Sequence, residues 1–316
     1  MKLVTFQQAG FNRVGSVFGD RVVDLHEACA AMFREQGKVR YRQLAEAYVP
    51  ADMIGLLEGG AESLEAAERA AEFALARPET GDGRRLVYRL DEVRLEAPIP
   101  KPGKIICVGH NYREHILEMK REIPKYPVIF AKFSNTVRGP QDDIPYPAAT
   151  AELDYEAEFA FVIGKKATGV RREDALAYVA GYTIANDVSC RDLQRRTIQW
   201  LQGKTVDGTL PTGPWLVTAD EIPDPSGLDI ELRVNGELRQ KSNTANLVFD
   251  VPFLVEFLSG LMTLEPGDLV CTGTPGGVGA AMNPPVFLKP GDVVRIDIER
   301  IGTLENRVTS ATGGGR

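Results

Sequence analysis

Three acidic side chains interrupt a β-strand pattern in the segment 151–166: Asp154, Glu156 and Glu158. Because side chains on a strand alternate between two faces, these carboxylates share one face, while the odd-numbered residues of 153–163 are apolar and share the other. Acidic residues are depleted in strands, and like charges on neighbouring positions of one face repel each other. A cation bound above this face would explain the pattern, and so would a solvated acidic surface. The strand by itself favours the two interpretations equally.

The ligand types indicate which cation such a site would bind. Glu156, Glu158 and one more carboxylate would form an all-oxygen site, which suits Mg²⁺ or Mn²⁺, with Ca²⁺ as an alternative. Zinc would be expected to recruit His or Cys, and this segment has neither. The best third ligand is Asp187, which follows the apolar strand predicted at 181–186. Asp187 could equally cap a helix predicted to begin at Asp192.

Two of the three histidines lie in the segment 109–119, directly after a short apolar strand and a glycine. If this segment forms one short helix, His115 and Glu118 lie on the same face, three residues apart. A carboxylate beside an imidazole orients the ring and raises its basicity, as a general base requires. An ordinary surface pair has the same spacing, so the pair alone is weak evidence for catalysis.

Two further features gain meaning only from their neighbours. The glycine-rich segment 272–279 follows a strand, but no Gly-Lys-Ser/Thr follows it and the prolines at 284–285 prevent a helix there. A nucleotide loop is therefore excluded, which leaves a loop that turns backbone N–H groups toward a carboxylate or oxyanion, or a structural tight turn. Lys204 alone is typical of a solvated surface lysine.

Composition is that of a soluble globular protein with one large domain or two smaller ones. The 316 residues are 43% hydrophobic and 26% charged. A net charge of −7 argues against nonspecific binding to nucleic acid, and no apolar run reaches membrane-spanning length. The four cysteines are widely spaced and no signal peptide is evident, so reduced thiols and a cytoplasmic location are expected.

The chain divides by pattern into an N-terminal α+β domain over 1–97, a β-rich domain over 98–310 and a Gly-rich disordered tail over 311–316. Three prolines between residues 98 and 102 place the linker there. Helical periodicity or composition predicts helices near 26–35, 41–48, 61–76 and 252–258. Strands that would position the candidate residues are predicted at 104–108, 128–133, 181–186, 269–272 and 293–298, with a hairpin at 230–240 around Asn235-Gly236.

Taken in order, these segments resemble the fumarylacetoacetate hydrolase superfamily over about residues 98–308, and the N-terminal region resembles the longer, bacterial-type members. The ordered set of motifs is specific, although each is weak alone. The matching motifs are Gly-x-Asn-Tyr-x-x-His-x-x-Glu at 109–118, Asp-Tyr-Glu-x-Glu at 154–158, Asn-Asp-x-x-x-Arg-Asp-Leu-Gln at 186–194, Gly-Lys at 203–204, Gly-Pro-Trp at 213–215 and Gly-Thr-Pro-x-Gly-Val-Gly at 273–279.

The resemblance implies an α+β, β-rich fold, a mixed β-sandwich roll around a divalent cation, and a homodimer. It also implies a role for each matching residue. At position 110, where members often carry Arg, Lys or Leu, this chain has His110, so what the family implies about substrate charge at that position does not transfer to this chain. The implied roles are metal ligands for Glu156, Glu158 and Asp187, a water-activating dyad for His115 and Glu118, an active-site lysine for Lys204, and substrate contacts for Arg191, Gln194 and Thr274.

The function expected from the resemblance is metal-dependent hydrolysis of a C–C bond in a 2,4-dioxo acid of the acylpyruvate type. The cation would chelate the 2-oxo acid, and His115, oriented by Glu118, would activate the attacking water. The same site could instead decarboxylate oxaloacetate or isomerise a 2-oxo acid between keto and enol forms. An inactive metabolite-binding protein is the non-enzymatic alternative, against which the complete His115, Glu118 and Lys204 set argues.

Overall fold

The computed structural model of the chain describes residues 1–310, so the predicted tail at 311–316 lies outside the described residues. The fold is mixed α+β and rich in strands, as predicted. No helix within residues 1–310 combines the length and the apolar character needed to cross a bilayer. The helices are α1 (Leu25–Glu35), α2 (Tyr41–Tyr48), α3 (Met53–Glu58), α4 (Gly60–Ala76), α5 (Arg113–Glu118), α6 (Arg191–Gln194), α7 (Leu201–Lys204) and α8 (Val251–Leu261).

The strands of the described residues form one large mixed sheet, one five-stranded sheet and a two-stranded ladder. They are β1 (Lys2–Gln8), β2 (Phe11–Phe18), β3 (Arg21–Asp24), β4 (Val87–Arg89), β5 (Arg94–Leu95), β6 (Ile105–Gly109), β7 (Val128–Lys132), β8 (Val137–Arg138), β9 (Ile144–Tyr146), β10 (Leu153–Asp154), β11 (Ala157–Ile163), β12 (Val179–Asn186), β13 (Ser189–Cys190), β14 (Leu210–Thr218), β15 (Asp229–Val234), β16 (Glu237–Asn243), β17 (Leu269–Cys271), β18 (Val293–Ile298) and β19 (Gly302–Ser310).

The large sheet has the strand order β4-β3-β2-β1-β14-β12-β11-β17-β6-β7, with β5 beside β1 and β8 beside β14. The five-stranded sheet has the order β16-β15-β18-β19-β9, and β10 pairs with β13. Side chains of β11 and β12 share one hydrophobic core with those of β15 and β18. The two sheets therefore pack face to face and bury apolar side chains from both.

Strand β11 is buried on both faces, and its alternation decides which core each residue joins. Phe159 and Phe161 pack in the core between the two sheets. Ala160 and Val162 pack in a second core, with residues of α1 and α4. Helix α4 carries a row of buried alanines, which allow a helix to approach a sheet closely. The apolar side chains on both faces make β11 a rigid support for whatever lies at its start.

The segment before residue 97 is joined to the rest of the chain through the large sheet. Strand β1 pairs antiparallel with β14, and helices α1 and α4 cover the face of the sheet opposite the five-stranded sheet. The proline-rich stretch 97–100 is largely buried rather than exposed. The division into two domains near residue 97 stays a prediction.

Most predicted elements are confirmed, and the two exceptions both lie at the candidate site. Asn235 and Gly236 have φ values of 52° and 83°, as the predicted two-residue hairpin turn requires. The acidic strand is interrupted after Asp154. Tyr155 and Glu156 lie between β10 and β11 and belong to neither strand. A continuous helix from Asp192 to Gln199 was expected, but α6 ends at Gln194 and a second short helix, α7, follows.

Candidate active site

Three carboxylates from two neighbouring strands converge at the start of β11. Oxygens of Glu156, Glu158 and Asp187 all lie within 4.8 Å of one another. Strands β11 and β12 are antiparallel with Ala157 opposite Asn186, so Asp187 emerges from β12 beside Glu156. The three side chains are 6%, 1% and 0% exposed, respectively. The interpretation as a solvated acidic face is therefore wrong.

Asp187 turns inward because the chain leaves the ladder at that residue. Its backbone N–H donates to the Glu156 carbonyl over 2.9 Å, and its side chain is fully buried. Two buried ammonium groups compensate the carboxylate: Lys204 Nζ lies 2.7 Å from Oδ2 and Lys132 Nζ lies 2.9 Å from Oδ1. Asp187 does not cap a helix, since α6 begins at Arg191 and its N-cap residue is Cys190.

The charges around the cluster are unevenly distributed. Glu156 forms ion pairs with Lys204 at 2.8 Å and with Arg191 at 2.7 Å. These cations outweigh the cost of burial and lower the pKa of Glu156 to about 2. Glu158 has only the Gly273 N–H, at 2.8 Å, and no ion pair with a basic side chain of residues 1–310. Burial, reinforced by neighbouring acidic groups, raises the pKa of Glu158 well above its usual value.

This donor set fits a hard divalent cation. A buried carboxylate without a basic partner is costly, and a cation between the three side chains would remove that cost. All available donors are carboxylate oxygens, the ligands that Mg²⁺, Mn²⁺ and Ca²⁺ prefer. The geometry thus supports the set Glu156, Glu158 and Asp187 as a candidate metal centre.

The predicted helical pair forms as expected on α5. His115 Nδ1 lies 3.3 Å from Glu118 Oε2, one turn further along the helix. His115 is 7% exposed, although most neighbouring residues of α5 are not buried. Because Glu118 occupies the Nδ1 side, Nε2 is the ring nitrogen left for proton transfer.

The glycine-rich segment binds protein carboxylates through its backbone. The N–H of Gly277 donates to both carboxylate oxygens of Glu118, at 3.1 and 3.2 Å. Gly277 has φ of 100°, and a Cβ there would lie 2.0 Å from the Arg239 carbonyl oxygen, so no other residue fits. The loop expected to present N–H groups to a carboxylate is confirmed, and the carboxylates are those of the protein itself.

The Asp154 carboxylate also binds the backbone of the glycine-rich segment, at its C-terminal end. Its Oδ1 accepts the Gly279 N–H at 2.9 Å, and its Oδ2 accepts the Ala280 N–H at 3.0 Å. Arg191 Nε donates to Oδ2 over 2.8 Å. Asp154 is thus satisfied without a metal ion, and it supports the cluster through Arg191.

The residues predicted to contact a substrate surround the carboxylates. Arg191 uses Nε and Nη1 within the protein, but its buried Nη2 has no hydrogen-bond partner among residues 1–310. Gln194 Oε1 accepts from Arg191 Nη1 at 3.1 Å, which leaves the Gln194 amide NH₂ free to donate. The Thr274 hydroxyl accepts from Gln240 Nε2 at 2.8 Å and can itself donate. Each of these three groups therefore keeps a hydrogen-bond donor that no acceptor of residues 1–310 satisfies.

One cavity of about 400 Å³ brings these groups together. Glu118 and Asp187 are not part of its wall, and each instead contacts a residue that is. The predicted residues that line the cavity are His115, Glu156, Glu158, Arg191, Gln194, Lys204 and Thr274.

Two residues of the site were missed from the sequence. Lys132 is the last residue of strand β7, and its side chain is fully buried against Asp187. The only sequence signal for a buried lysine was its position at the end of an apolar run. Gln240 lies on β16 and bridges the Ala157 N–H at 2.9 Å to the Thr274 hydroxyl. Nothing in its local sequence marks it.

Comparison with known proteins places these observations in a family. Residues 104–309 match the model described as fumarylacetoacetate (FAA) hydrolase C-terminal. Oxaloacetate tautomerase YisK of Bacillus subtilis (strain 168) is 42% identical over 313 residues, which are 98% of this chain and 100% of the relative. A mitochondrial oxaloacetate tautomerase of Homo sapiens is 44% identical over 262 residues, 82% of this chain and 80% of the relative.

Solved structures give the same result. A fumarylacetoacetate hydrolase from psychrophilic Exiguobacterium antarcticum has a TM-score of 0.79 at 37% identity, covering 98% of this chain and 99% of that one. Maleylpyruvate hydrolase from Sphingobium sp. SYK-6, in complex with manganese (II) ion and pyruvate, has a TM-score of 0.73 at 32% identity, covering 99% and 100%. The chain belongs to the fumarylacetoacetate hydrolase family.

Proposed function

We propose that this chain is a divalent-metal-dependent tautomerase that interconverts the keto and enol forms of oxaloacetate. The observation that carries the proposal is a single cavity lined both by His115, the histidine of the His–Glu pair, and by Glu156 and Glu158 of the carboxylate cluster. Tautomerisation needs only a base to move a proton next to an activated carbonyl, and no bond between heavy atoms is broken. The relatives named as oxaloacetate tautomerases, one of them 42% identical over nearly the whole chain, support this choice within the family.

Glu156, Glu158 and Asp187 would hold Mg²⁺ or Mn²⁺, and the all-oxygen set also admits Ca²⁺. The manganese (II) in the complex of maleylpyruvate hydrolase supports a divalent cation in this family. When bound, such a cation would supply Lewis-acid chemistry that polarises the 2-oxo group of the substrate.

His115 is the group that would move the proton. With Nδ1 held by Glu118, its Nε2 would accept a proton from carbon 3 of the keto form and, as imidazolium, would deliver it to the 2-oxo oxygen to give the enol. The reverse direction retraces the same two proton transfers. The Glu118 carboxylate would stabilise the resulting imidazolium. Glu118 itself is held by the Gly277 N–H, which keeps the pair in one orientation.

The remaining donors would orient the substrate and stabilise developing charge. The 1-carboxylate end would be bound by Arg191 Nη2, the Gln194 amide and the Thr274 hydroxyl. Each of these groups keeps a donor that has no acceptor among residues 1–310. Negative charge that develops on the 2-oxo oxygen would be stabilised by the nearby ammonium of Lys204. Ion pairs with Asp187 and Glu156 outweigh burial and raise the pKa of Lys204, so it stays charged at neutral pH.

Hydrolysis of an acylpyruvate is the second candidate, and the same His115–Glu118 pair favours it. In that reaction His115 would take its proton from water instead of from carbon 3. The similar structure of maleylpyruvate hydrolase supports this candidate. The two reactions differ in what occupies the space between His115 and the carbonyl, a substrate C–H or a water molecule.

One set of assays separates the candidates. The metal-free protein and the protein reloaded with Mg²⁺ or Mn²⁺ are given the enol of oxaloacetate, and the loss of its ultraviolet absorbance is followed. Parallel samples measure pyruvate from oxaloacetate and C–C cleavage of acetylpyruvate. We expect metal-dependent loss of the enol that His115→Asn abolishes, without matching pyruvate formation. Metal-dependent cleavage of acetylpyruvate without enol conversion would instead establish the hydrolase and refute the tautomerase.

A further inference from the structure

Building on the proposed function, we propose that Arg121, positioned by His110, binds the second carboxylate of the substrate. The site would then select 2-oxo dicarboxylic acids over 2-oxo monocarboxylic acids. Both residues line the cavity, and both lie in the segment of the chain that also carries His115.

Arg121 is the cation of the cavity wall that the protein leaves uncompensated. Arg191 and Lys204 are each paired with buried carboxylates. Arg195 lies 3.0 Å from Glu152. Within residues 1–310, Arg121 has no carboxylate at ion-pair distance, and its one side-chain hydrogen bond is to the His110 ring. A guanidinium that faces a cavity without an anion is suited to bind the carboxylate of a ligand.

His110 holds Arg121 in a defined geometry. Arg121 Nη1 lies 3.1 Å from His110 Nε2, and because a guanidinium can only donate, Nε2 must be the unprotonated acceptor. The proton of the neutral ring is then on Nδ1, which is buried and without a partner among residues 1–310. Burial and the nearby Arg121 lower the pKa of His110 to about 4, in keeping with a neutral ring.

The backbone at His110 is in an unfavourable conformation that the surroundings maintain. Its φ of 54° lies in the left-handed region, which non-glycine residues rarely occupy. The ring packs edge-on against Trp200, with centroids 5.4 Å apart. Such outliers occur at ligand-binding positions, where the surrounding structure holds a side chain toward a ligand.

The His110–Arg121 pair lies close to the proposed base, His115. The rings of His110 and His115 are nearly parallel, with centroids 6.1 Å apart. If carbon 3 of the substrate lies at His115 Nε2, carbon 4 is one bond further from the 2-oxo acid end and, in the pose we propose, lies toward His110 and Arg121. A carboxylate at carbon 4 would thus reach Arg121, whereas a monocarboxylic acid would leave Arg121 without an anion.

The test compares Arg121→Gln with Arg113→Gln. Arg113 is an exposed arginine of α5 that does not line the cavity, so its substitution removes the same charge from the same segment. With Mg²⁺-loaded protein, calorimetry measures the dissociation constants of malate and lactate, which share a 2-hydroxy acid but differ in the second carboxylate. Steady-state kinetics measures KM and kcat for oxaloacetate tautomerisation.

We expect the wild type and Arg113→Gln to prefer malate over lactate. Arg121→Gln should weaken malate binding and raise KM by about 10- to 100-fold, the value of a charged hydrogen bond, and leave lactate binding unchanged. The kcat should change less than about threefold, because the second carboxylate is bound equally before and during proton transfer. Arg121→Lys should restore part of the preference, since it keeps the charge but not the two-pronged geometry.

Four outcomes separate the inference from the function on which it rests. Equal binding of malate and lactate by the wild type, or an unchanged preference in Arg121→Gln, would refute the role of Arg121 even in an active tautomerase. A fall in kcat with unchanged KM would also refute it, since it would indicate a distorted α5. A preference lost in Arg121→Gln, in a protein without tautomerase activity, would support the carboxylate site and refute the proposed reaction.

Discussion

Substitution of Glu158 by glutamine should weaken metal binding without destabilising the metal-free protein. Glu158 is 1% exposed and has no basic partner in residues 1–310, so its charge is not compensated unless a cation is bound. Glutamine has nearly the same shape, and its oxygen can still accept the Gly273 N–H at 2.8 Å. The free energy of unfolding of metal-free Glu158→Gln should therefore equal that of the wild type or exceed it by up to about 2 kcal/mol.

The loss in metal affinity can be expressed as a thermal shift. At a metal concentration of about 100 times Kd, the wild type gains about 2.7 kcal/mol of stability from binding. Changes to groups that only support a metal ligand cost about 10- to 100-fold in affinity, so loss of a ligand should cost at least about 100-fold. At the same metal concentration Glu158→Gln then gains only about 0.4 kcal/mol. For a protein of this size the metal-induced rise in Tm should fall from about 5 °C to about 1 °C.

Asp154→Asn is the matched control. Asp154 is an equally buried carboxylate of the same segment, but its oxygens are occupied by three backbone N–H groups and by Arg191. An asparagine side chain would turn an NH₂ group toward some of those donors. The buried positive charge of Arg191 would also lose the negative charge of one of its two carboxylate partners. The metal-free variant should lose about 3–5 kcal/mol of stability. Its metal affinity should fall by about tenfold, the lower end for a group that only supports a ligand, because the three clustered carboxylates remain.

Differential scanning fluorimetry and urea unfolding of both variants, with chelator or with Mg²⁺ or Mn²⁺, provide the measurement. The two variants should show opposite patterns, with Glu158→Gln stable but insensitive to metal and Asp154→Asn unstable but sensitive to it. If metal-free Glu158→Gln were several kcal/mol less stable than the wild type and kept the full metal-induced rise in Tm, Glu158 would be a structural residue. The assignment of the cluster as a metal centre would then be refuted.

Three further predictions concern single side chains. Lys132→Met should lower the free energy of unfolding by about 3 kcal/mol, because it leaves Oδ1 of Asp187 without its buried cation. Lys125→Met removes the same charge at an exposed position and should leave the free energy of unfolding unchanged. His115→Asn should lower kcat by about 10²- to 10⁴-fold without changing the metal-induced rise in Tm. Because the pKa of His110 is lowered to about 4 from an unfolded value near 6.5, the unfolded chain binds more protons between these limits. Stability should fall by about 1–2 kcal/mol as pH drops from 6.5 to 4, after allowance for solvent screening, and His110→Asn should lack this component in urea unfolding curves.

The sequence allowed prediction of features that depend on local periodicity and spacing. The alternation in 153–163 correctly separated Phe159 from Glu158, because the period of a strand holds for each residue whatever its partner. The pairing of His115 with Glu118 follows in the same way from one helical turn. Asn235-Gly236 predicted its turn because both residues tolerate positive φ.

The features that could not be predicted depend on partners far apart in the chain. Lys132 is marked as part of the site only by Asp187, which the fold brings to it from another strand. Gln240 reaches the site because the five-stranded sheet packs over β11. Arg121 is notable because no carboxylate of residues 1–310 pairs with it, and such an absence cannot be recognised until the neighbours are known. Long-range compensation of buried charge is thus the information that local sequence did not contain.

The charges buried at the centre also imply why metal and substrate bind together. The buried carboxylates outnumber the buried cations by one, and the unpaired carboxylate is Glu158. A divalent ion would displace the proton that the raised pKa of Glu158 favours, and with all of the buried groups ionised the balance would become one positive charge. That charge attracts a dianion more strongly than a monoanion. The buried charged groups in question are Asp154, Glu156, Glu158, Asp187, Lys132, Arg191 and Lys204.

This charge balance predicts that Mg²⁺ strengthens the binding of malate more than that of lactate. Both ligands chelate a metal through the same 2-hydroxy acid, so chelation alone would strengthen their binding equally. The additional gain for malate should shrink as salt is raised, to the extent that the cavity is open to solvent. Calorimetry with and without Mg²⁺, at two ionic strengths, measures both effects. Equal gains for the two ligands would show that the metal acts only through chelation, and that the uncompensated charge of Glu158 has no part in substrate selection.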